Sequence, residues 1–205
     1  MTIFCKRTDL LNESDVEQKF ILQMLTTEPP FGLGYSLSDF RTKPDIRQIV
    51  IDKGHSKKLY YPDFIIITKG LPSLIIEAKG PEEDVSEAIR EARLYALELN
   101  ARFKKDINPC HKIVISNGLK TIACTWDSDE PEYCLDFEQI YSENPEYSEF
   151  LTFVCKEKIL DFCDKIHTRI RKKSIFRRPL RLLGGKTIQN EEVEQNSFGT
   201  SVSST

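Results

Sequence analysis

Two short apolar stretches joined by a turn constrain the fold of this chain more than any other feature. The first is the run Phe64–Ile67, and the second is Leu74–Ile76; Gly70 and Pro72 lie between them. Continuous apolar runs bounded by turn residues are typical of strands buried on both faces of a sheet. The sequence therefore predicts two adjacent buried strands connected by a hairpin.

The segments around this hairpin predict an α/β domain. Apolar residues at helical spacing predict three helices, and shorter apolar stretches predict five strands. The helices are expected at Glu13–Leu25, Glu82–Asn100 and Ser148–Lys172, and the strands at Ile46–Ile51, Lys57–Thr68, Ser73–Lys79, His111–Ser116 and Lys120–Trp126. Asn12 or Ser14 is expected to cap the first helix, Asn117-Gly118 predicts a hairpin, and residues 127–146 are expected to form a loop. This order predicts a mixed β-sheet flanked by helices.

The length of 205 residues suits one domain with a terminal extension. We predict a core domain over residues 1–146, followed by an amphipathic helix and a basic segment over residues 147–186. Residues 187–205 are polar and rich in serine, which predicts a disordered tail.

The charge of the chain is unevenly distributed. Residues 165–186 contain nine Lys or Arg and no acid, and the chain as a whole has a net charge of −3, so the remainder carries −12. A basic segment of this kind suits contact with phosphate groups. A solvated basic linker explains it equally well.

Neither the apolar content nor the cysteines indicate an extracytoplasmic or membrane protein. No stretch approaches the roughly 18 apolar residues that cross a bilayer, and no apolar segment follows the charges near the N-terminus. The six cysteines form no CxxC pair, so reduced and mostly buried thiols are expected. We therefore expect a cytoplasmic protein with no membrane partner.

Three charged residues interrupt the two apolar strands, and they are the candidates for chemistry. Asp63 precedes the first run, and Glu77 and Lys79 end the second. Because alternate residues of a strand share a face, Glu77 and Lys79 point the same way on the strand next to Asp63. A buried ion pair without chemistry is the alternative for any one of these residues, since unpaired buried charges are costly.

This set of side chains suits the hydrolysis of a phosphodiester. Asp63 and Glu77 offer the hard oxygen ligands that Mg²⁺ prefers, and the carbonyl oxygen of Ala78 is a further candidate ligand. Lys79 can orient a water molecule or stabilise negative charge on the phosphate.

These residues carry a resemblance to a known family. Pro62-Asp63, followed after thirteen residues by Glu77-Ala78-Lys79, resembles the PD-(D/E)xK nuclease signature. More closely, residues 13–126 resemble the N-terminal nuclease domain of type I restriction enzyme R subunits. The closer likeness rests on the opening helix from Glu13 to Phe20, on Gly70-Leu71-Pro72, on the helix Glu87–Tyr95 and on Ser116-Asn117-Gly118.

The resemblance implies a restriction-endonuclease-like fold and a DNA endonuclease of a restriction or antiviral defence system. It implies Mg²⁺ as cofactor, with Mn²⁺ able to substitute, and double-stranded DNA as substrate. The family usually has an acid on the first helix that joins the metal site. Glu17 is our candidate and Glu13 the reserve, while a solvated helix acid is the alternative for each.

The chain departs from this family at one position of the second helix. The family tends to carry Gln-x-x-x-Tyr there, whereas this chain has Glu91 and Tyr95, which still share a helix face. Glu91 could bind the metal, pair with Lys79 or Arg90, or repel the DNA backbone. Glu91 and Tyr95 are therefore included among the candidate catalytic residues.

Two classes of function remain open on the sequence alone. The first is the Mg²⁺-dependent endonuclease, and the second is a catalytically silent nuclease fold that binds nucleic acid or a protein partner. The chain contains no Walker-type phosphate-binding motif, so we expect no small-molecule nucleotide site. Translocation along DNA would need a partner, such as a motor or specificity protein, or a missing C-terminal region.

Overall fold

A six-stranded mixed sheet forms the centre of the protein in its computed structural model. The structure describes residues 4–42, 51–53, 56–58, 62–128, 130–174, 180–181 and 187–188. The chain divides into two compact units, residues 1–163 and 164–205. The predicted division at residues 146 and 186 rests on composition and stays a prediction.

Helices alternate with groups of strands along the first unit, and the last helix continues into the second unit. The strands are β1 (Phe40–Thr42), β2 (Ile51–Lys53), β3 (Ser56–Lys58), β4 (Phe64–Thr68), β5 (Leu71–Ala78), β6 (Lys112–Ser116), β7 (Lys120–Thr125) and β8 (Tyr133–Asp136). The helices are α1, which has the consecutive segments Glu13–Asp15, Val16–Ile21 and Leu22–Thr26, then α2 (Val85–Asn100), α3 (Pro145–Val154) and α4 (Lys156–Ser174). In the second unit, β9 (Leu180–Arg181) pairs with β10 (Thr187–Ile188) in antiparallel orientation.

The central sheet has the strand order β1-β4-β5-β6-β7-β8. Strands β5 and β6 are parallel, and the other neighbours in this sheet are antiparallel. A parallel pair needs a crossover connection, and α2 provides it between β5 and β6. Strands β2 and β3 form a separate antiparallel pair. The predicted mixed sheet flanked by helices is confirmed.

Helix α2 covers one face of the sheet and carries two of the candidate residues. The side chain of Asp84 caps its N-terminus by accepting a hydrogen bond from the Ser86 N–H at 2.9 Å. Its apolar face is buried in one cluster with β4, β5, β6 and β7; the helix contributes Val85, Ala88, Ala92, Tyr95, Ala96 and Leu99. Burial of each large apolar side chain contributes about 1.5–3 kcal/mol, so the position of this helix is firmly fixed.

The buried face and the N-terminal cap of helix α1 agree with the prediction. The side chain of Asn12 accepts a hydrogen bond from the Asp15 N–H at 3.0 Å, as one of the two predicted caps. The predicted apolar positions are fully buried; they are Val16, Phe20, Ile21, Met24 and Leu25. The segment Val16–Ile21 is a π-helix, which the sequence pattern did not predict, and it contacts β5. Single π turns within α-helices occur frequently at functional sites.

The structure corrects the predicted C-terminal part of the first unit. The sequence predicts a loop over residues 127–146, but β8 lies there and pairs with β7. The predicted helix Ser148–Lys172 is two helices, because Cys155 adopts extended geometry (ψ 156°) between α3 and α4. Helix α3 begins at Pro145, three residues earlier than predicted, since proline is well tolerated in the first turn of a helix.

Other strand predictions differ from the structure in their bounds. The predicted strand Ile46–Ile51 lies outside the described residues except for its last residue. The turn predicted over Lys69–Pro72 is shorter in the structure: Lys69 and Gly70 form it, and Leu71 and Pro72 belong to β5. Pro72 is accommodated next to a register shift between Ile66 and Ile67. The six cysteines are thiols and four of them are buried, as predicted. Within the described residues, no helix combines the length and apolarity that crossing a bilayer requires.

The side chain of Asn117 ties the β6–β7 hairpin to the loop before α2. The predicted turn at Asn117-Gly118 is confirmed, and Gly118 has a positive φ of 79°. The side chain of Asn117 accepts hydrogen bonds from the Leu119 and Lys120 N–H groups at 3.0 and 2.7 Å. It also donates to the carbonyl of Glu83 at 2.8 Å, which ties the hairpin to the loop before α2.

Replacement of Gly118 by Ala is expected to destabilise the protein more than replacement of Gly70 by Ala. Both glycines have positive φ, 79° and 78°, so both substitutions carry a backbone cost of roughly 1 kcal/mol. A Cβ at Gly118 would lie 2.6 Å from Cδ1 of Leu10 and 3.3 Å from Cγ2 of Val16, whereas nothing lies within 4 Å at Gly70. Crowding adds about 1–3 kcal/mol to the loss at Gly118, measurable by urea unfolding. Equal losses in the two variants would contradict this prediction.

Candidate active site

Asp63 is held at the end of β5 by a backbone hydrogen bond. It precedes β4 by one residue, is only 4% exposed, and its Oδ2 accepts a hydrogen bond from the Ala78 N–H at 2.7 Å. A buried carboxylate needs such donors, because burial without them is costly. The predicted proximity of Asp63 to the end of the second strand is therefore seen in the structure. The carbonyl of Ala78 stays a predicted metal ligand.

Glu77 and Lys79 lie on the face of the sheet that α2 covers. Ile75 belongs to the apolar cluster with α2, and Glu77 shares its face because the two are alternate residues of one strand. Glu77 is 3% exposed. Its Oε2 lies 3.9 Å from Nζ of Lys79. The backbone N–H of Lys79 donates to the carbonyl of Ser116 at 2.9 Å, which extends the pairing with β6 beyond the last residue of β5.

Helix α1 brings two further acids to Asp63. Carboxylate oxygens of Glu13, Glu17 and Asp63 all lie within 4.8 Å of one another. The spacing of Glu13 and Glu17 by four residues places both on one helix face. The sequence favours Glu17, with Glu13 as the reserve, but the structure places both next to Asp63. The separation of Glu13 and Glu17 by four residues is the sequence signal that could have indicated that both lie next to Asp63.

Helix α2 places Glu91 and Tyr95 beside Lys79. The phenol of Tyr95 donates a hydrogen bond to Oε1 of Glu91 at 3.0 Å. The other oxygen of Glu91, Oε2, lies 3.9 Å from Nζ of Lys79. Of the interactions considered for Glu91, pairing with Lys79 is the one that these distances support.

The phenol of Tyr95 remains protonated throughout the ordinary pH range. Burial raises its pKa far above the usual value, and the negative charges of Glu77 and Glu91 add to the effect. The hydrogen bond to Glu91 and the charge of Asp63 act in the same direction. Tyr95 is therefore a hydrogen-bond donor here.

An open, strongly acidic cleft lies next to Lys79. Its volume is about 470 Å³, and its lining consists of Lys79, Glu82, Glu83, Asp84, Glu87, Ala88 and Glu91. Glu82, Glu83, Asp84 and Glu87 are exposed. A cleft of this charge attracts cations and repels phosphate groups that approach without a counterion.

The donor set of the site fits a hard divalent cation. Carboxylate oxygens are the ligands that Mg²⁺ prefers, and Glu13, Glu17 and Asp63 bring three carboxylates together. Like charges at this separation repel one another. A divalent cation relieves that repulsion, so the residues present fit the metal.

Comparison with known proteins points to one family. The mixed sheet with its flanking helices is an α/β fold consistent with a restriction-endonuclease-like domain. Residues 38–132 match the family model for the type I restriction enzyme R protein N terminus, which confirms the closer of the two resemblances stated from the sequence. The matched segment includes Asp63, Glu77 and Lys79, whereas α1 precedes it. No curated protein and no solved structure matches the chain.

The raised pKa of Tyr95 predicts that the free energy of unfolding falls at alkaline pH. The stabilisation that Tyr95 contributes is fully present below about pH 10, where the tyrosine of the unfolded chain is also protonated. This stabilisation is lost as the pH rises above that value, because the unfolded chain then releases the phenol proton and the folded protein keeps it. While folded at about pH 11, the wild type and Tyr95→Phe should therefore show the same phenolate absorbance, and unfolding at that pH should reveal one more phenolate in the wild type. An additional phenolate in the folded wild type would contradict the prediction.

Proposed function

We propose that this protein is a Mg²⁺-dependent endonuclease that hydrolyses DNA phosphodiester bonds. The observation that carries the proposal is the assembly of Asp63, Glu77 and Lys79 at the end of the β4–β5 hairpin, with the Glu13 and Glu17 carboxylates next to Asp63. Unlike an isolated buried ion pair, this assembly contains more carboxylates than its one lysine can neutralise. Such an excess suits a cation site.

In this proposal, carboxylates from three elements hold the metal. Asp63 and Glu77 are the principal ligands, Glu17 and Glu13 contribute from α1, and the Ala78 carbonyl is a further candidate. When bound there, Mg²⁺ would polarise a phosphoryl oxygen and lower the pKa of a coordinated water. The Ala78 N–H keeps Asp63 oriented through its hydrogen bond of 2.7 Å.

Lys79 supplies the positive charge on the protein side of the reaction. Its side chain is 19% exposed, so its ammonium can reach a phosphate in the cleft while remaining partly desolvated. A fixed ammonium stabilises the negative charge that develops on the phosphoryl oxygens and can orient the attacking water. The water oxygen bonds to phosphorus and gives a proton to solvent, while the bond from phosphorus to the leaving oxygen breaks and that oxygen takes up a proton from solvent.

The family match supports a proposal for the substrate and the partners. A likeness to the N terminus of a type I restriction enzyme R protein supports double-stranded DNA as the substrate. It also supports a role in restriction or antiviral defence, with a motor or specificity protein as partner. The predicted cytoplasmic location agrees with such a role.

A second candidate function is a catalytically silent module with the same fold. The acidic cleft beside Lys79 favours it, because carboxylates repel a DNA backbone. Such a module would bind a nucleic acid or a protein partner without hydrolysis. The two candidates differ in whether Asp63 and Glu77 bind a metal.

Nicking of supercoiled plasmid DNA in the presence of Mg²⁺ tests the proposed activity. The Asp63→Asn and Lys79→Met variants should each lose at least about 100-fold in rate, since each lacks a metal ligand or the stabilising charge. Glu98→Gln, which removes an exposed acid of α2, is the matched control and should retain the wild-type rate. Wild-type activity in the Asp63 variant would overturn the proposal.

Metal binding separates the endonuclease from the silent module. At about 100 times its dissociation constant, Mn²⁺ should stabilise the wild type by about 2.7 kcal/mol and raise its melting temperature by roughly 5–10 °C. Asp63→Asn should abolish this shift, and Glu17→Gln should reduce it. Calorimetric titration that finds no binding dependent on Asp63 and Glu77 would favour the silent module.

A further inference from the structure

Lys79 lies between two carboxylates that come from different elements. Its Nζ is 3.9 Å from Oε2 of Glu77 on β5 and 3.9 Å from Oε2 of Glu91 on α2. These are ion-pair distances beyond the range of close hydrogen bonds, so neither carboxylate holds the ammonium alone. The ammonium is shared between a proposed metal ligand and a residue of the neighbouring helix.

The position of Glu91 is itself fixed by Tyr95. Tyr95 is 2% exposed and belongs to the apolar cluster under α2, so its ring has little freedom. Its hydroxyl donates to Oε1 of Glu91 at 3.0 Å, which leaves Oε2 directed at Lys79. The core of the domain is thus connected to the lysine through one hydrogen bond and one ion pair.

We propose that Glu91 is a positioning residue that draws the Lys79 ammonium away from Glu77 and so keeps the Glu77 carboxylate available to a divalent cation. The inference rests on the proposed function, because it assumes that Glu77 is a metal ligand. Without the charge of Glu91, the ammonium pairs with Glu77 alone, and the metal must displace it. Glu91 therefore acts through Lys79.

The interaction between Glu91 and Lys79 can be measured with the full chain and Mn²⁺ as the probe. Glu91→Gln keeps the shape of the side chain and an oxygen that accepts from Tyr95, but removes the charge. Titration calorimetry should show Mn²⁺ binding weakened about tenfold by this change in the wild-type background. In the Lys79→Met background, where no ammonium competes for Glu77, the same change should weaken binding by only about twofold.

Two matched variants separate this role from general electrostatics and from packing. Glu87→Gln removes an exposed carboxylate of the same cleft, one helical turn before Glu91, and should change Mn²⁺ affinity by about twofold or less. Tyr95→Phe removes the hydrogen bond but keeps both charges, so it should weaken binding less than Glu91→Gln does. Equal effects of Glu91→Gln in the two Lys79 backgrounds would overturn the inference, because Glu91 would then act on the metal directly.

A measurement without metal keeps this inference distinguishable from the proposed function. Urea unfolding of the wild type, Glu91→Gln, Lys79→Met and the double variant should show that Glu91→Gln lowers the midpoint more when Lys79 is present than when it is absent. The same shift in both backgrounds would overturn the inference. If the Asp63→Asn variant bound Mn²⁺ as tightly as the wild type, that result would instead overturn the proposed function.

Discussion

The geometry of the candidate site depends on the hydrogen bond from the Ala78 N–H to Oδ2 of Asp63. Asp63 lies outside the strand ladder, so this bond of 2.7 Å is what attaches its side chain to β5. Ala78 lies between Glu77 and Lys79, so the same contact attaches Asp63 to the backbone segment that carries both of these residues. The acids of α1 reach the site through Asp63, since Glu13 and Glu17 cluster around its carboxylate.

The surrounding structure tolerates this concentration of charge because rigid apolar packing lies beneath it. Carboxylates within 4.8 Å of one another repel, and burial of Asp63 and Glu77 adds a desolvation cost. The buried faces of α1 and α2 offset these costs by holding both helices against the sheet. Local features that oppose stability within an otherwise consistent fold are typical of functional sites.

The sequence predicted those parts of the fold and site that local periodicity determines. The apolar face of α1, its Asn12 cap and the strands β4 and β5 follow from spacing within one segment. The strand predicted over Lys57–Thr68 is too long, because Pro62 and Asp63 precede β4. The start of α3 at Pro145 was missed because proline fits both a loop and a first helical turn. The arrangement around Lys79 could not be predicted, because the side chain of Glu91 could reach several groups. Only the packing of α2 against the sheet selects the ion pair with Lys79.

The acidic character of the site and the proposed reaction on DNA are compatible if the cation binds before the phosphate. Lys79 is shared between Glu77 and Glu91, so its charge is already balanced within the protein. A phosphate group that approaches this cleft alone meets mainly carboxylates, and their field opposes it. A divalent cation among the carboxylates would weaken that field and offer the phosphate a local positive charge. On the proposed function, the acidic lining thus favours substrate that reaches a site already holding its metal, and Lys79 adds the positive charge of the protein there.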